Sequence, residues 1–422
     1  MDFAYSPNSL ARAVQLKAFM TEHILPANRA FHEEHAAGRY PLSLVNGLKE
    51  KARAAGLWNM FLPSLKDDEP GTRLSNVDYA PLAEIMGRVH WSSEVFNSNP
   101  PDTGNMELLH MFGTPEQQEQ WLKPLLNGEI RSLFAMTEPD VASSDATNIA
   151  TEIRRDGDDY VINGRKWFSS AGFHPLCRVG IVMGITDPSE DTPPHRRQSM
   201  ILVPLDTPGV NIVRDLPILN YRMPDGICEI VYDNVRVPVS NLLGGEGDGF
   251  ALAQARLGPG RIHHCMRAIG QCELALELMC DRGLQRVAFG KTLTDYANVQ
   301  DGIAENRLEI DMTRLLTLRA AWMIDTMGNR AANVEVSAIK LIAARTLQKV
   351  TDRAMQVFGG MGLTNDTPLA FMFSWGRAMR YFDGPDEVHL RAVALRELKT
   401  AKAQIGHTEP YLTRGWTFPD PK

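Results

Sequence analysis

Apolar residues recur at helical spacing in the first and the last thirds of the chain. Residues 8–128 contain several such stretches, in which side chains such as Leu82, Ile85 and Val89 lie three and four positions apart. Proline and glycine separate the stretches, as expected of loops between helices. After residue 249 the pattern returns in longer segments, and helices are predicted over 250–284, 295–327, 334–357 and 385–404.

The middle of the chain has a different pattern. Between residues 131 and 240, short runs rich in Val, Ile, Tyr and Phe alternate with turn residues, which predicts strands. Asn163-Gly164 directly follows one apolar run and is a signal for a tight hairpin. Residues 187–198 are polar, contain proline and are expected to form a loop. A small β-barrel or β-sandwich is predicted for this region.

These patterns predict an α+β multidomain protein: an N-terminal helical domain, a middle β-barrel or sandwich and a C-terminal helical bundle. A length of 422 residues suits two to three domains of about 150 residues each. The last bundle is rich in Ala, Leu, Ile, Met and Arg and could form an oligomer seam. The predicted boundaries are 1–130, 131–245 and 246–407, followed by a C-terminal tail over 408–422.

Composition and charge exclude several classes of protein. The chain is 44% hydrophobic and carries 44 basic against 51 acidic residues, so its net charge of −7 argues against nucleic-acid binding through bulk charge. Five cysteines without a CxxC pair argue against a disulfide framework and against a thiolate metal cage. No apolar run reaches the roughly 18 residues that cross a bilayer, and no secretory signal is visible. A cytoplasmic protein without a membrane span is expected.

Two other patterns carry little chemistry. The glycine-rich stretch 243–249 lacks the lysine and the strand–helix context of a phosphate loop, and we expect it to lead into the next helix. His263 and His264 are adjacent, so on a helix they face different directions and cannot share a metal ion. A structural role or the lining of a substrate pocket is expected for them, and no metal site is predicted.

Two segments of the β-rich region could hold a flat cofactor. Residues 134–145 place hydroxyl groups between apolar runs and could hydrogen-bond a heteroaromatic ring or a phosphate, although a Ser/Asp-rich turn explains them equally well. Residues 163–172 place aromatic side chains beside hydroxyls, which could cover a ring and donate to its edge. Aromatic residues in the core of a strand would give the same pattern.

A third segment carries a candidate base. Gly384-Pro385 predicts the start of a helix, where Asp386 and Glu387 complement the positive end of the helix dipole. Asp383 lies just before this helix and has no such structural explanation. A carboxylate there would be exposed to substrate and close to backbone donors, as a general base requires.

Taken together and in this order, the segments resemble the acyl-CoA dehydrogenase family over essentially the whole chain. The DGPDEVH ending is most similar to the branch in which an acyl-CoA dehydrogenase domain is fused to a kinase. The resemblance rests on five motifs: TEP (137–139) followed by a Ser-Asp pair, INGxK (162–166), RVAFG (286–290), QxxGGxG (356–362) and the terminal DG (383–384).

The resemblance implies an activity and a cofactor. The enzyme would use FAD to convert an acyl-CoA thioester to the trans-2-enoyl-CoA, as in fatty acid β-oxidation. Asp383 would remove the α-proton while a hydride passes to N5 of FAD. An electron-transfer flavoprotein is implied as the electron acceptor, and the flavin would bridge the subunits of a homodimer or homotetramer.

The resemblance also implies site residues. Phe168 takes the place of the family's usual tryptophan, and Ser170 that of a threonine that bonds flavin N5. The substrate contacts implied are Ser144, Arg261 near the CoA moiety, and Gly384. The cofactor contacts implied are Phe134, Met136, Thr137, Ser143, Ser144, Phe168, Ser170, Arg286, Phe289, Gln356, Gly359, Gly360, Pro385 and Glu387.

The sequence departs from the family pattern in two places. The base is Asp383 rather than glutamate, and the position of an alternative glutamate base is Gly260. Substrate binding and desolvation are expected to raise the pKa of this carboxylate. The loop after Thr137 is one residue longer than usual, which leaves the flavin contact open between Ser143 and Ser144.

Three alternatives remain at this point. The first is a flavoprotein oxidase on the same fold that acts on nitroalkanes or acyl-CoA. The second is an acyl-CoA dehydrogenase specialised for γ-substituted or hydroxylated acyl chains. The third is a helical scaffold that has lost its cofactor.

Overall fold

The N-terminal third of the protein is helical, in agreement with the predicted pattern. The computed structural model describes residues 4–413, apart from the side chains of residues 257 and 259. Short π-helical stretches connect some of the helices, at Met20–Ile24 and Gln118–Leu122. The helices are α1 (Pro7–Phe19), α2 (Leu25–Ala36), α3 (Leu42–Ala54), α4 (Asn76–Gly87), α5 (Asp102–Phe112), α6 (Pro115–Gln117) and α7 (Lys123–Leu126).

Local sequence explains where the longer helices begin and which face they bury. Ser6 and Ser75 precede α1 and α4, and each hydroxyl accepts a backbone N–H of the first turn. Leu82 and Met86, one turn apart on α4, are fully buried in the core that the N-terminal helices share. Pattern and capping therefore agree in this part of the chain.

The middle of the chain forms an eight-stranded sheet. The strand order is β6-β7-β3-β2-β4-β5-β8, with β1 parallel to β4. β2 and β4 pair at a single position, and side chains from both parts of the sheet share one core. The strands are β1 (Arg131–Ala135), β2 (Glu152–Asp156), β3 (Asp159–Ser170), β4 (Cys177–Ile185), β5 (Gln198–Pro204), β6 (Val210–Asp215), β7 (Ile227–Pro238) and β8 (Leu242–Leu243).

The hairpin predicted at Asn163-Gly164 is wrong, because β3 runs through both residues. The turn between β2 and β3 lies earlier, where Gly157 has a φ of 66°. At Gly164 the register against β7 shifts, and a Cβ would stand 2.4 Å from Thr151 Oγ1. Glycine is therefore required here for a close approach and not for a turn.

The C-terminal third is a helical bundle with a small two-stranded hairpin. The four predicted helices are confirmed to within about two residues at each end, and α11 is an additional helix that was not predicted. The C-terminal tail is described only as far as residue 413, so the rest of the predicted tail lies outside the described residues. The elements are α8 (Gly249–Gln285), β9 (Val287–Ala288), β10 (Lys291–Thr292), α9 (Ala297–Met327), α10 (Asn333–Phe358), α11 (Leu369–Met379) and α12 (Asp386–Lys402).

The bundle is joined to the N-terminal helices by a close crossing of α4 and α8. A Cβ at Gly270 on α8 would lie 1.9 Å from the carbonyl oxygen of Glu84, and a Cβ at Gly87 on α4 would lie 2.2 Å from that of Arg267. Two glycines thus let the helix backbones touch. The crossing therefore fixes the position of α8, and of Arg267 on it, relative to the N-terminal helices.

The start of α5 is tied to the sheet by buried polar groups. Asp102 accepts from the backbone N–H of Ser132 at 2.7 Å and pairs with the guanidinium of Arg131, which is almost fully buried. Asn105, one turn later, donates to the hydroxyl of Ser132 at 2.9 Å. Because these groups are buried and paired, they hold α5 in register with β1.

No helix among residues 4–413 combines the length and the apolar character that a bilayer span requires.

Candidate active site

Two side chains hold the turn that carries Asp383. The φ angles of Asp383 and Gly384 are 54° and 103°, so the backbone is left-handed at both residues before α12 begins. The carbonyl oxygen of Asp383 accepts from Arg261 Nε at 2.9 Å and lies 3.2 Å from His389 Nε2. A Cβ at position 384 would meet His389 Nε2 at 2.9 Å, which accounts for the glycine. The backbone of the candidate base is therefore fixed from α8 and α12.

The carboxylate of Asp383 borders a small pocket between α5 and α8. Its side chain is 17% exposed, and His264 Nε2 lies 3.5 Å from its Oδ2 atom. The wall formed by α8 uses one helix face, with lining residues four, four and three positions apart. Besides Asp383, the pocket is lined by Pro100, Thr103, Gly104, Arg256, Gly260, His264 and Arg267.

The electrostatic environment of Asp383 is positive. Burial alone would raise the pKa of the carboxyl, but the adjacent His264 and three nearby cations outweigh it and lower the pKa below its usual value. The three cations are Arg256, Lys340 and Arg261. These neighbours could not be predicted from the sequence, and they reverse the rise in pKa that desolvation by itself would cause. The carboxylate is ionised at neutral pH, as a base must be.

Two buried arginines face this pocket. The guanidinium of Arg256 lies 4.1 Å from the ring centroid of Phe134, and its Nε donates to Asn105 Oδ1 at 3.1 Å. Arg267 donates to the carbonyl oxygen of Ser98 at 3.4 Å. Within residues 4–413, no carboxylate oxygen comes within 4.0 Å of either guanidinium. Both arginines thus bring positive charge to the pocket without forming an ion pair.

Glu107 on α5 does not balance that charge. It is buried, and desolvation raises its pKa to about 8 although Arg256 acts in the opposite direction. Its Oε2 atom has no hydrogen-bond partner among the described residues. The side chain is therefore protonated and neutral near pH 7.

The two segments predicted to hold a flat cofactor lie side by side. Lys166 Nζ donates to the carbonyl oxygen of Met136 at 2.9 Å and to Glu138 Oε1 at 2.7 Å. The backbone N–H of Trp167 donates to the carbonyl oxygen of Thr137 at 3.0 Å. A buried ion pair and a backbone bond therefore join the loop after β1 to the end of β3.

A bulge at the end of β3 exposes Phe168. The register against β7 shifts between Lys166 and Ser169, and Phe168 has a φ of 52° with half of its surface exposed. Trp167 Nε1 and Ser169 Oγ are buried without a partner among the described residues. An open aromatic face beside unused donors suits a planar heteroaromatic cofactor.

Ser143 and Ser144 differ in what they contact. The hydroxyl of Ser143 accepts from the backbone N–H of Glu138 at 2.8 Å and so closes the loop on itself. Ser144 is exposed and forms no hydrogen bond with the described residues. Arg391 on α12 acts electrostatically on the neighbouring Asp145, which places this loop near the helix that follows Asp383.

A second group of predicted cofactor contacts forms a patch at one end of the bundle. The ends of α8 and α10 meet there, with the guanidinium of Arg282 5.6 Å from the ring centroid of Phe358. Phe289, in the turn between β9 and β10, is fully exposed. The exposed members of the patch are Arg286, Phe289, Gln356, Gly359 and Gly360.

The acids that follow the Asp383 turn are not equivalent. Asp386 is buried and pairs with Arg380 at 2.8 Å and with Arg345 at 3.1 Å, so it has a structural role. Pro385 caps α12, and Glu387 is exposed.

Sequence reasoning missed Arg256, Arg267 and Lys340 as pocket or near-pocket residues and left His264 undecided. The signal was present on α8, because Arg256, Gly260, His264 and Arg267 occupy one helix face. A polar stripe on a helix normally faces solvent, so only the packing against α5 shows that this one is buried.

Comparison with known proteins decides the family. Three domain models match the chain in order, those for the N-terminal, middle and C-terminal domains of acyl-CoA dehydrogenase, over residues 10–129, 133–235 and 247–398. The chain belongs to the acyl-CoA dehydrogenase family. The family expectation, the helical–β–helical fold and FAD as the cofactor of an oxidoreductase are thereby confirmed.

Individual acyl-CoA dehydrogenases match over most of the chain. A Mycobacterium tuberculosis protein named "Probable acyl-CoA dehydrogenase FadE2" is 54% identical over 96% of this chain and 98% of its own length. Rat acyl-CoA dehydrogenase family member 11 is 47% identical, and the match spans about half of that longer protein, 52%.

Solved structures give the same family. A Mycobacterium abscessus structure is 49% identical and superposes with a TM-score of 0.89, covering 94% of this chain and 99% of that one. Butyryl-CoA dehydrogenase from Megasphaera elsdenii is 25% identical with a TM-score of 0.79, covering 94% of this chain and all of its own.

Proposed function

We propose that this enzyme desaturates an acyl-CoA thioester between the α and β carbons, with Asp383 as the base. The observation that carries the proposal is an ionised carboxylate at the border of a buried pocket, on a turn fixed by Arg261 and His389. The family supplies the general reaction, and the position of this side chain supplies the proton acceptor.

The chemistry requires removal of a weakly acidic α-proton. The thioester carbonyl must therefore be stabilised by fixed donors as the C–H bond breaks. The backbone N–H of Asp383 has no acceptor among the described residues and is available for that carbonyl. When bound, FAD supplies the acceptor for the hydride that leaves the β-carbon.

An aspartate base must approach the substrate differently from the usual glutamate. It is shorter by one methylene, roughly 1.3–1.5 Å on standard bond lengths. Two hydrogen bonds to the Asp383 carbonyl, one from α8 and one from α12, restrain the backbone, so the reach is set by the turn and not by a flexible side chain. Arg261 is thereby occupied with the turn, which supports a role in positioning the base in addition to any contact with CoA.

The flavin ring is proposed to lie against the joined segments after β1 and β3. Ser144 is favoured over Ser143 as the flavin contact because its hydroxyl is free. Phe168 offers an exposed aromatic face, and Ser170 an unused hydroxyl. Phe134, Met136 and Thr137 complete this wall of the site.

The exposed patch at the end of the bundle is proposed to bind the adenosine side of a flavin held mainly by a neighbouring subunit. The full exposure of Phe289 supports this arrangement, since a bare aromatic side chain is unfavourable in water. Pro385 and Glu387 are proposed to join this contact. The enzyme would then be a homodimer or homotetramer, with an electron-transfer flavoprotein as the acceptor of its electrons.

The pocket also favours an acyl chain that carries a polar substituent, such as a γ-hydroxyl. Arg256 and Arg267 are buried without ion-pair partners among the described residues, and Thr103 adds a hydroxyl. A hydroxyl on the acyl chain would give these groups an additional hydrogen-bond partner, whereas a purely aliphatic chain would give them none. Comparing kcat/KM for γ-hydroxylated and unsubstituted acyl-CoA of equal length tests this, and Arg256→Met should remove a preference for the hydroxylated chain.

The base assignment is tested by Asp383→Asn. The variant should bind FAD with a normal absorbance spectrum, yet fail to bleach when mixed anaerobically with an acyl-CoA that reduces the parent enzyme. Asp352→Asn, which changes an exposed carboxylate on α10, is the matched control and should bleach normally. Bleaching of Asp383→Asn at the parent rate would eliminate Asp383 as the base. Rapid peroxide formation with a nitroalkane, without reduction by any acyl-CoA, would instead indicate an oxidase.

A further inference from the structure

His264 connects the candidate base to a buried arginine. Its Nε2 atom lies 3.5 Å from Asp383 Oδ2, and its Nδ1 atom lies 3.3 Å from a terminal nitrogen of Arg267. The imidazole packs against the ring of Phe382, with 4.9 Å between centroids, and only 11% of the side chain is exposed. The ring is thus held between the two charged groups.

The partner at Nδ1 decides which tautomer is present. A guanidinium has donors and no acceptor, so Nδ1 must accept from Arg267 and cannot carry the proton. The proton of a neutral imidazole then resides on Nε2, which is the atom that faces the carboxylate. Burial, followed by Arg267, lowers the pKa of His264 to about 3, which agrees with a neutral ring.

Arg267 is itself restrained, which makes the arrangement rigid. It donates to the carbonyl oxygen of Ser98, and its own carbonyl lies against Gly87 at the crossing of α4 and α8. The distance from Nε2 to the carboxylate is at the outer limit of a hydrogen bond, and such contacts shorten when substrate fills a site.

We propose that His264, kept in its Nε2–H tautomer by Arg267, is a positioning residue that orients the carboxylate of Asp383 toward the substrate. His264 donates to Oδ2, and Oδ1 takes the α-proton as the C–H bond breaks. The electron pair of that bond becomes the new double bond as a hydride leaves the β-carbon, and FAD, when bound, would supply the acceptor for that hydride. The role rests on the proposed function, and it goes beyond the family pattern because it assigns a task to a histidine outside the five motifs.

The charged and titratable groups that face Asp383 define what a pH profile will report. They are Arg256, Arg261, His264, Cys265 and Arg267 on α8, Lys340 on α10 and His389 on α12. Of these, His264 is the one whose ring nitrogen, uncharged at neutral pH, lies 3.5 Å from a carboxylate oxygen of Asp383. Loss of that donor destabilises the ionised form, so the acidic limb of the rate profile should move to higher pH.

The test compares His264→Phe, which keeps the ring volume without a donor, with His264→Gln, whose amide can donate. Rapid-mixing bleaching of the FAD-loaded enzymes at saturating acyl-CoA gives the limiting rate and KM between pH 5 and 9. His264→Phe should lose at least about tenfold in limiting rate, as expected for a hydrogen bond to a charged group, with little change in KM. His264→Gln should recover most of the rate.

A double-mutant cycle separates positioning from a structural role. In the His264→Phe background, which should retain a measurable rate, Arg267→Met should cause no further loss of rate, because the arginine acts through the histidine. Should His264→Phe lose FAD, Arg267→Met provides a second test, since it frees the ring to change tautomer and should also lower the limiting rate.

The two proposals fail in different ways. Bleaching by Asp383→Asn at the parent rate overturns the proposed function. An inactive Asp383→Asn together with a His264→Phe enzyme of unchanged limiting rate and pH profile overturns the role of His264 alone.

Discussion

The crossing of α4 and α8 makes Gly270→Ala a demanding test of how the pocket is built. The new Cβ would lie 1.9 Å from the carbonyl oxygen of Glu84. Ordinary contact begins near 3.4 Å, so the helices must separate by about 1.5 Å or distort. The obstacle is a backbone atom, and α4 is further tied down because Glu84 pairs with Arg314 at 2.7 Å. The strain cannot be relieved by rotating one side chain.

Two opposing contributions set the expected size of the effect. Forcing an extra methyl into a packed contact typically costs about 1–3 kcal/mol, whereas alanine is favoured over glycine inside a helix by up to about 1 kcal/mol. We therefore expect a net loss of about 1–2 kcal/mol in the free energy of unfolding. The FAD-bleaching rate should fall as well, because His264 and Arg267 lie within two turns of the strained contact.

Denaturant titration of the FAD-loaded enzyme measures the midpoint, and Gly47→Ala is the matched control. Gly47 lies inside α3, and no atom comes within 4 Å of the place that the added methyl would take, so alanine there should leave the midpoint unchanged or raise it. A Gly270→Ala enzyme as stable as the parent would refute the reasoning, since the close approach would then not constrain the two helices.

Three further predictions concern single side chains. Desolvation raises the pKa of Glu107 from 4.5 to about 8, so the folded enzyme holds a proton that the unfolded chain releases between these values. This group alone should lower the free energy of unfolding by about 1.4 kcal/mol per pH unit as pH rises through that window, while buried histidines with a lowered pKa, such as His264, act in the opposite direction below about pH 6.5. The difference between the parent and Glu107→Gln in denaturant titrations at pH 5, 6 and 7 isolates the contribution of Glu107, and an equal pH dependence of the two enzymes would contradict it. Lys166→Met removes the cation that pairs with Glu138 and leaves this carboxylate only the backbone N–H groups of Ala150 and Thr151. The substitution should cost up to about 3–5 kcal/mol together with much of the bound flavin, measured by the denaturation midpoint and the flavin-to-protein ratio. Ser144→Ala should shift the absorbance maxima of bound FAD while Ser143→Ala lowers only the midpoint, and the reverse pattern would assign the flavin contact to Ser143.

The long helices could be predicted because their signals are local. The predicted helix over 250–284 is observed as Gly249–Gln285, since the apolar period continues on both sides of the Gly-Pro-Gly sequence at 258–260. The Asn163-Gly164 hairpin failed for the opposite reason. Gly164 is needed because the side chain of Thr151 packs closely against it. A sequence does not show which atoms of a distant residue approach a glycine.

The candidate site was predictable only in part. Asp383 could be singled out because the proline and the acidic residues that follow it are typical of the start of a helix. The aspartate has no such structural role. The charged side chains that surround Asp383 could not be predicted. Arg256 and Lys340 come from helices far apart in sequence, and their burial depends on how the three domains pack together. Ser143 and Ser144 are indistinguishable in sequence, and their different contacts emerge only from the path of the loop.

The walls of the pocket come from two parts of the chain, and a third part packs against one of them. Asp383 belongs to the C-terminal bundle and Thr103 to the N-terminal helices, while Phe134 of the sheet packs against the lining residue Arg256. Evolution can therefore remodel the wall supplied by α5, and so alter which acyl groups are accepted, while the parts that handle the proton and the electrons stay intact. Substitutions confined to α5 could therefore change the substrate range of this fold without changing the residues around Asp383.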